Sequence, residues 1–285
     1  MSALEHKIDF SVIITAKNAN PNGDPLNGNR PRENYDGFGE ISDVCIKRKI
    51  RNRLQDMGER IFVQSDDRCD DGFKSLHDRV KGSEKLAALS KQKNTDVDLF
   101  AKAACEEWID VRSFGQVFAF KGDSVSVGVR GPVSIQQAVS ASPIDITSMQ
   151  ITKSVNGESG KESKASDTMG TKHRVDFAVY VFHGSINCQL AEKTGFTAED
   201  AAKIKTALET LFENDCSSAR PEGSMEVRCV YWYEHDCKIP KYSSAKVHRL
   251  LKIKLKDGLD RPRCFEDYDI TLEPLDDLTP QKFEV

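Results

Sequence analysis

Residues 7–17, KIDFSVIITAK, constrain the fold more than any other stretch of the chain. Ile8, Phe10, Val12, Ile14 and Ala16 alternate with Lys7, Asp9, Ser11, Thr15 and Lys17, and only Ile13 breaks the pattern. Successive side chains on a strand point to opposite faces, so a period of two predicts a β-strand with one buried face. The strand runs into NANPNGDPLNGNRPRENYDGFG, whose density of Gly, Pro, Asn and Asp forbids regular structure. A connection this long is uncommon inside a compact domain and is often functional.

Ser42 and Asp43 then read as the N-cap and first turn of a helix, with Ile46, Ile50, Leu54, Met57 and Ile61 as its core stripe. Residues 62–110 read as a polar, largely helical insertion whose apolar face is Leu99, Phe100, Ala103 and Trp108. Strand-like runs follow at Val117–Lys121, Ser124–Arg130 and Val133–Val139. Residues 147–174 are rich in Gly, Ser and Lys and predict a long exposed hairpin or a flexible loop. Val175–Phe182 reads as a strand, Thr197–Asn214 as a helix opening on a Thr197-x-x-Asp200 capping box, and Met225–Tyr233 as a strand. Leu250–Leu255 fits a helix or a strand. This order is the ferredoxin-like β-α-β-β-α-β plan, so the expected class is α+β: one domain over residues 1–285, enlarged after its first helix and before its third strand. Such a fold permits RNA binding without establishing it.

Composition sharpens the functional classes. Charged residues are 30% of the 285-residue chain and the hydrophobic set 38%, an ordinary globular balance. The N-terminus lacks a basic region and cleavage site, and Asp9 and Ser11 interrupt its apolar stretch, so a cytoplasmic protein with no membrane partner is expected. Eight scattered cysteines then read as reduced thiols. Cys229, His235 and Cys237 cluster but lack the fourth, closely spaced ligand of a zinc site, so neither metal nor cofactor is expected. The net charge of −4 is uneven: residues 257–285 hold nine acidic residues against three basic ones, leaving the remainder slightly positive. A local basic patch can bind phosphates on an acidic protein. The acidic segment is either a solvated end or a dock for a neighbour's basic surface.

The candidate chemistry is binding. On a helix, Lys47, Arg48 and Arg51 flank one side of the Ile46/Ile50 stripe, and Lys49 and Arg53 the other. With the long loop ending at this helix's N-terminus, backbone N–H groups and basic side chains can converge on a phosphate run; a solvated cationic face is the alternative. In the loop, Asn18, Asn20, Asn22, Asn27 and Asn29 offer amide donors, and Arg30 and Arg32 offer forks suited to phosphate, although turn chemistry alone also explains the asparagines. Gly157–Ser163 imitates a phosphate-binding P-loop but has two residues between its glycines where four are needed. The aromatic RNA-recognition signature, metalloprotease histidine spacing and a nucleophile elbow are all missing from the sequence. Asp24 and Asp36 could support metal-dependent RNA cleavage if they converged, and read otherwise as turn residues.

Seven stretches, taken in order, resemble one family: NPNGDP (20–25), ISDVCIKRKIR (41–51), DVRSFGQVF (110–118), RGPVSIQQAVS (130–140), DTMGTKHRVDFAVYVFHGSIN (167–187), LAEKTGF (190–196) and DCSSARPEGSM (215–225). The family is the repeating backbone subunit of the type I-C CRISPR Cascade surveillance complex, within the Cas-seven superfamily. The resemblance implies a modified RNA-recognition palm, a finger-like insertion over 62–115 and a hairpin thumb over 147–174. It implies copies polymerising head-to-tail along a CRISPR RNA, with a target DNA strand read through the guide. Other Cascade subunits and a recruited helicase-nuclease are the implied partners. By the same resemblance Ser42, Lys47, Arg48 and Arg51 match the guide-backbone helix, and Asn18, Asn20 and Asn22 its phosphate loop. Thr168, Met169, Lys172 and His173 match the thumb, with Met169 as a wedge between bases. Arg112 lines the same groove, with Phe114 beside it or in the core. Type III relatives cut target RNA with a loop aspartate; type I backbones do not, so Asp24 is read as structural and no catalytic residue is expected.

Overall fold

The computed structural model describes residues 3–91, 96–120, 126–152 and 169–284. In chain order the elements are β1 (Ile8–Ala19), β2 (Gly23–Asp24), β3 (Arg30–Pro31), β4 (Phe38–Ile41), α1 (Asp43–Asp56), α2 (Leu76–Gly82), α3 (Glu84–Ser90), α4 (Val97–Glu107) and α5 (Ile109–Phe114). Strands β5 (Gly115–Ala119), β6 (Ser126–Arg130), β7 (Val133–Ile135), β8 (Ala138–Pro143), β9 (Ile146–Thr152) and β10 (Met169–Ile186) follow. The chain ends with α6 (Cys188–Thr194), α7 (Ala198–Glu209), β11 (Met225–Glu234), α8 (Ser244–His248), β12 (Leu251–Leu255), β13 (Tyr268–Leu272) and β14 (Gln281–Glu284). The fold is mixed α+β, built on an eight-stranded antiparallel sheet ordered β14-β11-β1-β10-β8-β4, with β7 and β9 also paired to β10.

β1 lies at the centre of that sheet, and this corrects the expectation of one buried face. Phe10, Val12, Ile14 and Ala16 pack with Ile46, Ile50 and Leu54 of α1 and Ile204 and Leu208 of α7. Ile13, on the other face, packs with Val247 of α8, Leu251 of β12 and Tyr268 of β13. Asp9, Ser11 and Thr15 are therefore buried as well. Buried polar groups persist only when hydrogen-bonded. Asp9 accepts from Lys7 at 3.1 Å and pairs with His235 at 2.8 Å, and Ser11 pairs with His183 at 2.7 Å.

Helix α1 starts where the sequence predicts, with the Ser42 hydroxyl accepting from the Cys45 N–H at 3.3 Å. It stops at Asp56, and Gly58 takes the left-handed φ of 86° that turns the chain, so Ile61 is buried beyond the helix. The insertion has its own apolar cluster, including Phe62, Val80, Leu86, Phe100, Ala104, Trp108, Phe118 and Val127. That cluster reaches past residue 115 into the β5–β6 hairpin. Leu99, expected in it, is 54% exposed, because it stands one residue off the Phe100/Ala103/Ala104 stripe of α4.

The run expected at 133–139 divides into β7 and β8, and Leu251–Leu255 is a strand paired with β13. Helix α7 carries the Thr197/Asp200 capping box and ends at Glu209, short of the expected Asn214. Lys121, Ser124 and Thr168 lie outside the described residues. β9 and β10 form a hairpin ladder from Ile146↔Val175 to Thr152↔Met169. No helix among the described residues is long and apolar enough to cross a membrane.

Candidate nucleic-acid interface

Three segments meet at the C-terminal end of β1. The first is the loop 18–32, which leaves the strand through Asn18 at a positive φ of 54°, a conformation asparagine tolerates better than most residues. The second is the N-terminus of α1. Asn22 joins the two: its side-chain oxygen accepts the Ser42 N–H at 2.9 Å and the Ser42 hydroxyl at 3.0 Å. The third is the loop 215–224. Its Ala219 carbonyl accepts the Asn20 N–H at 2.8 Å, and its Ser224 carbonyl accepts the Lys17 N–H at 2.8 Å.

Asn20 is 3% exposed, and its side-chain NH2 donates to the Asn29 carbonyl at 2.6 Å, so it braces the loop rather than facing out. Arg30 reaches the β9–β10 hairpin. It donates to the Ser148 hydroxyl at 3.3 Å, and Ser148 bonds His173 at 2.8 Å. The loop and the hairpin base are thereby one continuous surface. Lys172 has no ion-pair partner among the described residues, and Met169 at the far end of the ladder is 56% exposed. Asn18, Asn20, Asn22, Arg30, Ser42, Met169 and His173 thus border this loop–helix–hairpin surface, while Lys172, paired across the ladder with Met149, lies on the opposite face of the hairpin from Ser148 and His173.

The cations of α1 behave differently from the expectation of a free basic face. Lys47 pairs with Asp43 one turn back at 3.0 Å, and Arg48 donates to the Val63 carbonyl at 2.5 Å. Arg51 bonds Asp110 at 2.9 Å, with both side chains largely buried. On the other flank Lys49 is 4% exposed against Asp215, and Arg53 meets Thr210 at 2.7 Å and Glu213 at 2.5 Å. The insertion and the 210–215 segment supply acceptors that a helical-wheel reading cannot see. Among these five, Lys47 keeps the most usable charge, since a partly exposed i,i+4 pair is weak and screened.

Arg112 does not join this surface. It grips Asp200 through two bonds, of 3.0 and 2.7 Å, and opens on a separate groove of about 900 Å³ between α4 and α6–α7. Phe114 is partly buried against the main core, with the Arg51 guanidinium 5.0 Å from its ring. Asp24 caps a short turn by accepting from the Leu26 N–H at 3.2 Å and pairs with Arg32 at 3.4 Å. Asp36 is exposed in the Asn34–Phe38 turn. Among the described residues no group of three or more His, Cys, Asp or Glu is placed to hold a metal ion.

The sequence reading missed the loop 215–224 as part of this surface. Its Ser217–Arg220 turn, closed by backbone bonds of 2.8 and 3.1 Å, holds Arg220 beside Asp215 at 3.1 Å. The signal was the Ser-Ser-Ala-Arg-Pro string with Gly223 behind it, a tight-turn composition placing an arginine at the turn's end.

The fold and this surface define an α+β protein whose central sheet presents a polar, cation-bearing ledge made by two loops, a helix start and a hairpin. The profile of the family described as "CRISPR-associated protein Cas7" matches residues 6–273, and the chain belongs to that family. It is 25% identical over 236 residues to a protein of Haloferax volcanii named CRISPR-associated protein Cas7, covering 76% of this chain and 67% of the relative. A solved chain titled "CRISPR RNA-guided surveillance complex, pre-nicking" superposes with a TM-score of 0.50 at 17% identity, covering 85% of this chain and 79% of that one, a likeness of fold.

Proposed function

We propose that this chain is a guide-RNA-binding backbone subunit of a CRISPR surveillance complex, of the type I-C Cascade class, acting in the cytoplasm as a scaffold and not as an enzyme. The observation that carries the reading is the continuity of the Asn22–Ser42 contact with the Arg30–Ser148–His173 chain. One extended polar ledge runs from a helix N-terminus to an exposed hairpin, the shape a single-stranded phosphate backbone requires. Family membership and the surveillance-complex likeness support the same reading. The strand order β11-β1-β10-β8, with α1 and α7 packed on one face, supports a modified RNA-recognition palm. The cluster around Phe62 and Trp108 then serves as the finger and the β9–β10 hairpin as the thumb.

Copies would pack head-to-tail along the guide, a contact that does not close and so builds a filament. The guide would read the target DNA strand by base pairing, with other Cascade subunits at the filament ends and a helicase-nuclease recruited to the bound target. Asp24, engaged in its turn and with Arg32, supports a structural role over RNA cleavage.

The test is binding of a fluorescein-labelled single-stranded RNA of guide length across a salt titration. A log–log slope that steepens with the number of bound copies is expected, and charge reversal at Arg30 and Lys47 together should flatten it by roughly 0.7 per lost phosphate contact. Wild-type protein that ignores the RNA at low salt would refute the reading.

A further inference from the structure

The loop 215–224 carries a charge arrangement that the ledge described above does not use. Asp215 holds two cations on one carboxylate: Lys49 from inside α1, 4% exposed, and Arg220 from its own loop at 3.1 Å. One negative charge against two positive ones leaves this contact net positive. Lys49 is locked between the carboxylate and the Phe212 ring, 5.4 Å away, and cannot reach out. Arg220 can. Its Nε is fixed by Asp215, its side chain is 25% exposed, and its two terminal nitrogens have no partner among the described residues.

A backbone contact places the loop that carries this guanidinium beside the ledge. The residue just before it, Ala219, is bonded to Asn20. The Cys45 thiol, on the first turn of α1, is pushed up by burial yet feels Lys49, Arg220 and Arg32 as neighbouring positive charges. The Asn20–Ala219 bond, the Asn22–Ser42 bond and the Lys49–Asp215 pair bring the loop 215–224 and the start of α1 to the same ledge, where the helix's unsatisfied N–H groups already favour an anion. A planar fork held at one nitrogen and open at two presents the bidentate geometry that phosphate oxygens accept.

We infer that Arg220, aimed by the Asp215 carboxylate that Lys49 holds from within α1, grips a backbone phosphate of the strand lying on the ledge. Asp215 and Lys49 are positioning residues. The inference rests on the RNA-binding reading and adds a third wall to its site.

The experiment compares full-length wild type, Arg220→Gln, Asp215→Asn and, as a charge-loss control elsewhere, Lys254→Gln, in the same labelled-RNA salt titration. Arg220→Gln should bind roughly tenfold more weakly, with a slope smaller by about 0.7 per bound copy, while Lys254→Gln matches wild type. Asp215→Asn separates aiming from charge. It makes the protein more positive, so simple charge attraction predicts tighter binding, whereas loss of aim predicts weaker binding. Wild-type affinity and slope in a folded Arg220→Gln overturn the inference and leave the RNA reading standing; no RNA binding by wild type removes both. Should Arg220→Gln not fold, Arg220→Lys decides: weaker binding at an unchanged slope supports the fork, and unchanged affinity overturns it.

Discussion

The side-chain oxygen of Asn22 accepts both the N–H and the hydroxyl of Ser42, at 2.9 and 3.0 Å, across twenty residues of sequence. The same hydroxyl caps α1 by accepting from the Cys45 N–H. One serine therefore fixes the helix start and the loop that must lie over it. Ser42→Ala should cost about 1 kcal/mol for the lost cap. Asn22→Ala should cost about 1–3 kcal/mol by leaving donors of Ser42 unpaired. Because both act on one network, the double variant should lose less than the sum. Urea unfolding of the four proteins measures this, and strict additivity would show that the contact does not couple loop and helix.

Arg51 and Asp110 make a second coupling, between α1 and the insertion. Asp110 accepts from Arg51 at 2.9 Å and from the Phe62 and Val63 N–H groups at 2.7 and 3.1 Å. Removing one partner of a buried pair leaves the other charge uncompensated. Arg51→Ala should lower stability by about 3–5 kcal/mol, and Lys47→Ala by no more than about 0.5 kcal/mol. A thermal or urea midpoint within error of wild type for Arg51→Ala would show that the pair is not structural. The same contrast says why weaker RNA binding by Arg51 variants must be read beside their fold.

That contrast also marks what sequence could reveal. The period-two stretch at 8–16 located β1, and Ser42, the α1 stripe and the Thr197/Asp200 box located two helices, because local patterning dictates them. It could not show that β1 is buried on both sides, since Val247 and Tyr268, which cover its second face, arrive more than two hundred residues later. Nor could it show that Asp110, Asp200 and Asp215 engage Arg51, Arg112 and Lys49, because charge pairing across 59 to 166 residues leaves no periodic trace. The asparagine loop was legible as a candidate site, yet Asn20 is buried and braces it. Arg220 was not singled out in the sequence, because its place beside Asn20 depends on the folded loop.

Acid should weaken the fold through His183. Burial, and then the neighbouring His248 stacked 4.8 Å away, depress its ring to about 4 from the ordinary 6.5. The unfolded chain takes up the proton first, so the stability from the neutral ring is complete above about 6.5 and is lost as pH falls toward 4. Between pH 7 and 5 the loss should be about 2 kcal/mol. Urea unfolding at both values should show this drop shrinking by that amount in His183→Gln. An equal drop in the variant would place the titration on another group.

Met169 separates a binding role from a folding one more cleanly than any residue of α1. Its side chain is 56% exposed, on the hairpin face it shares with Thr171 and His173, and it touches the hairpin through a 2.8 Å contact of its sulfur with Gln150. An exposed apolar side chain outside any packed cluster contributes little to stability, so Met169→Ala should leave the urea midpoint within about 0.5 kcal/mol of wild type. A side chain inserted between bases must instead offset unstacking, which costs a few kcal/mol per step. An RNA carrying 2-aminopurine at successive positions reports that unstacking as brighter fluorescence. Wild type should brighten the probe at regularly spaced positions, Met169→Leu should keep the pattern, and Met169→Ala should dim it while RNA affinity falls. A pattern identical in all three would remove Met169 as the wedge and hand the role to Met149 or Ile151, exposed apolar residues on the hairpin's other face among the described residues.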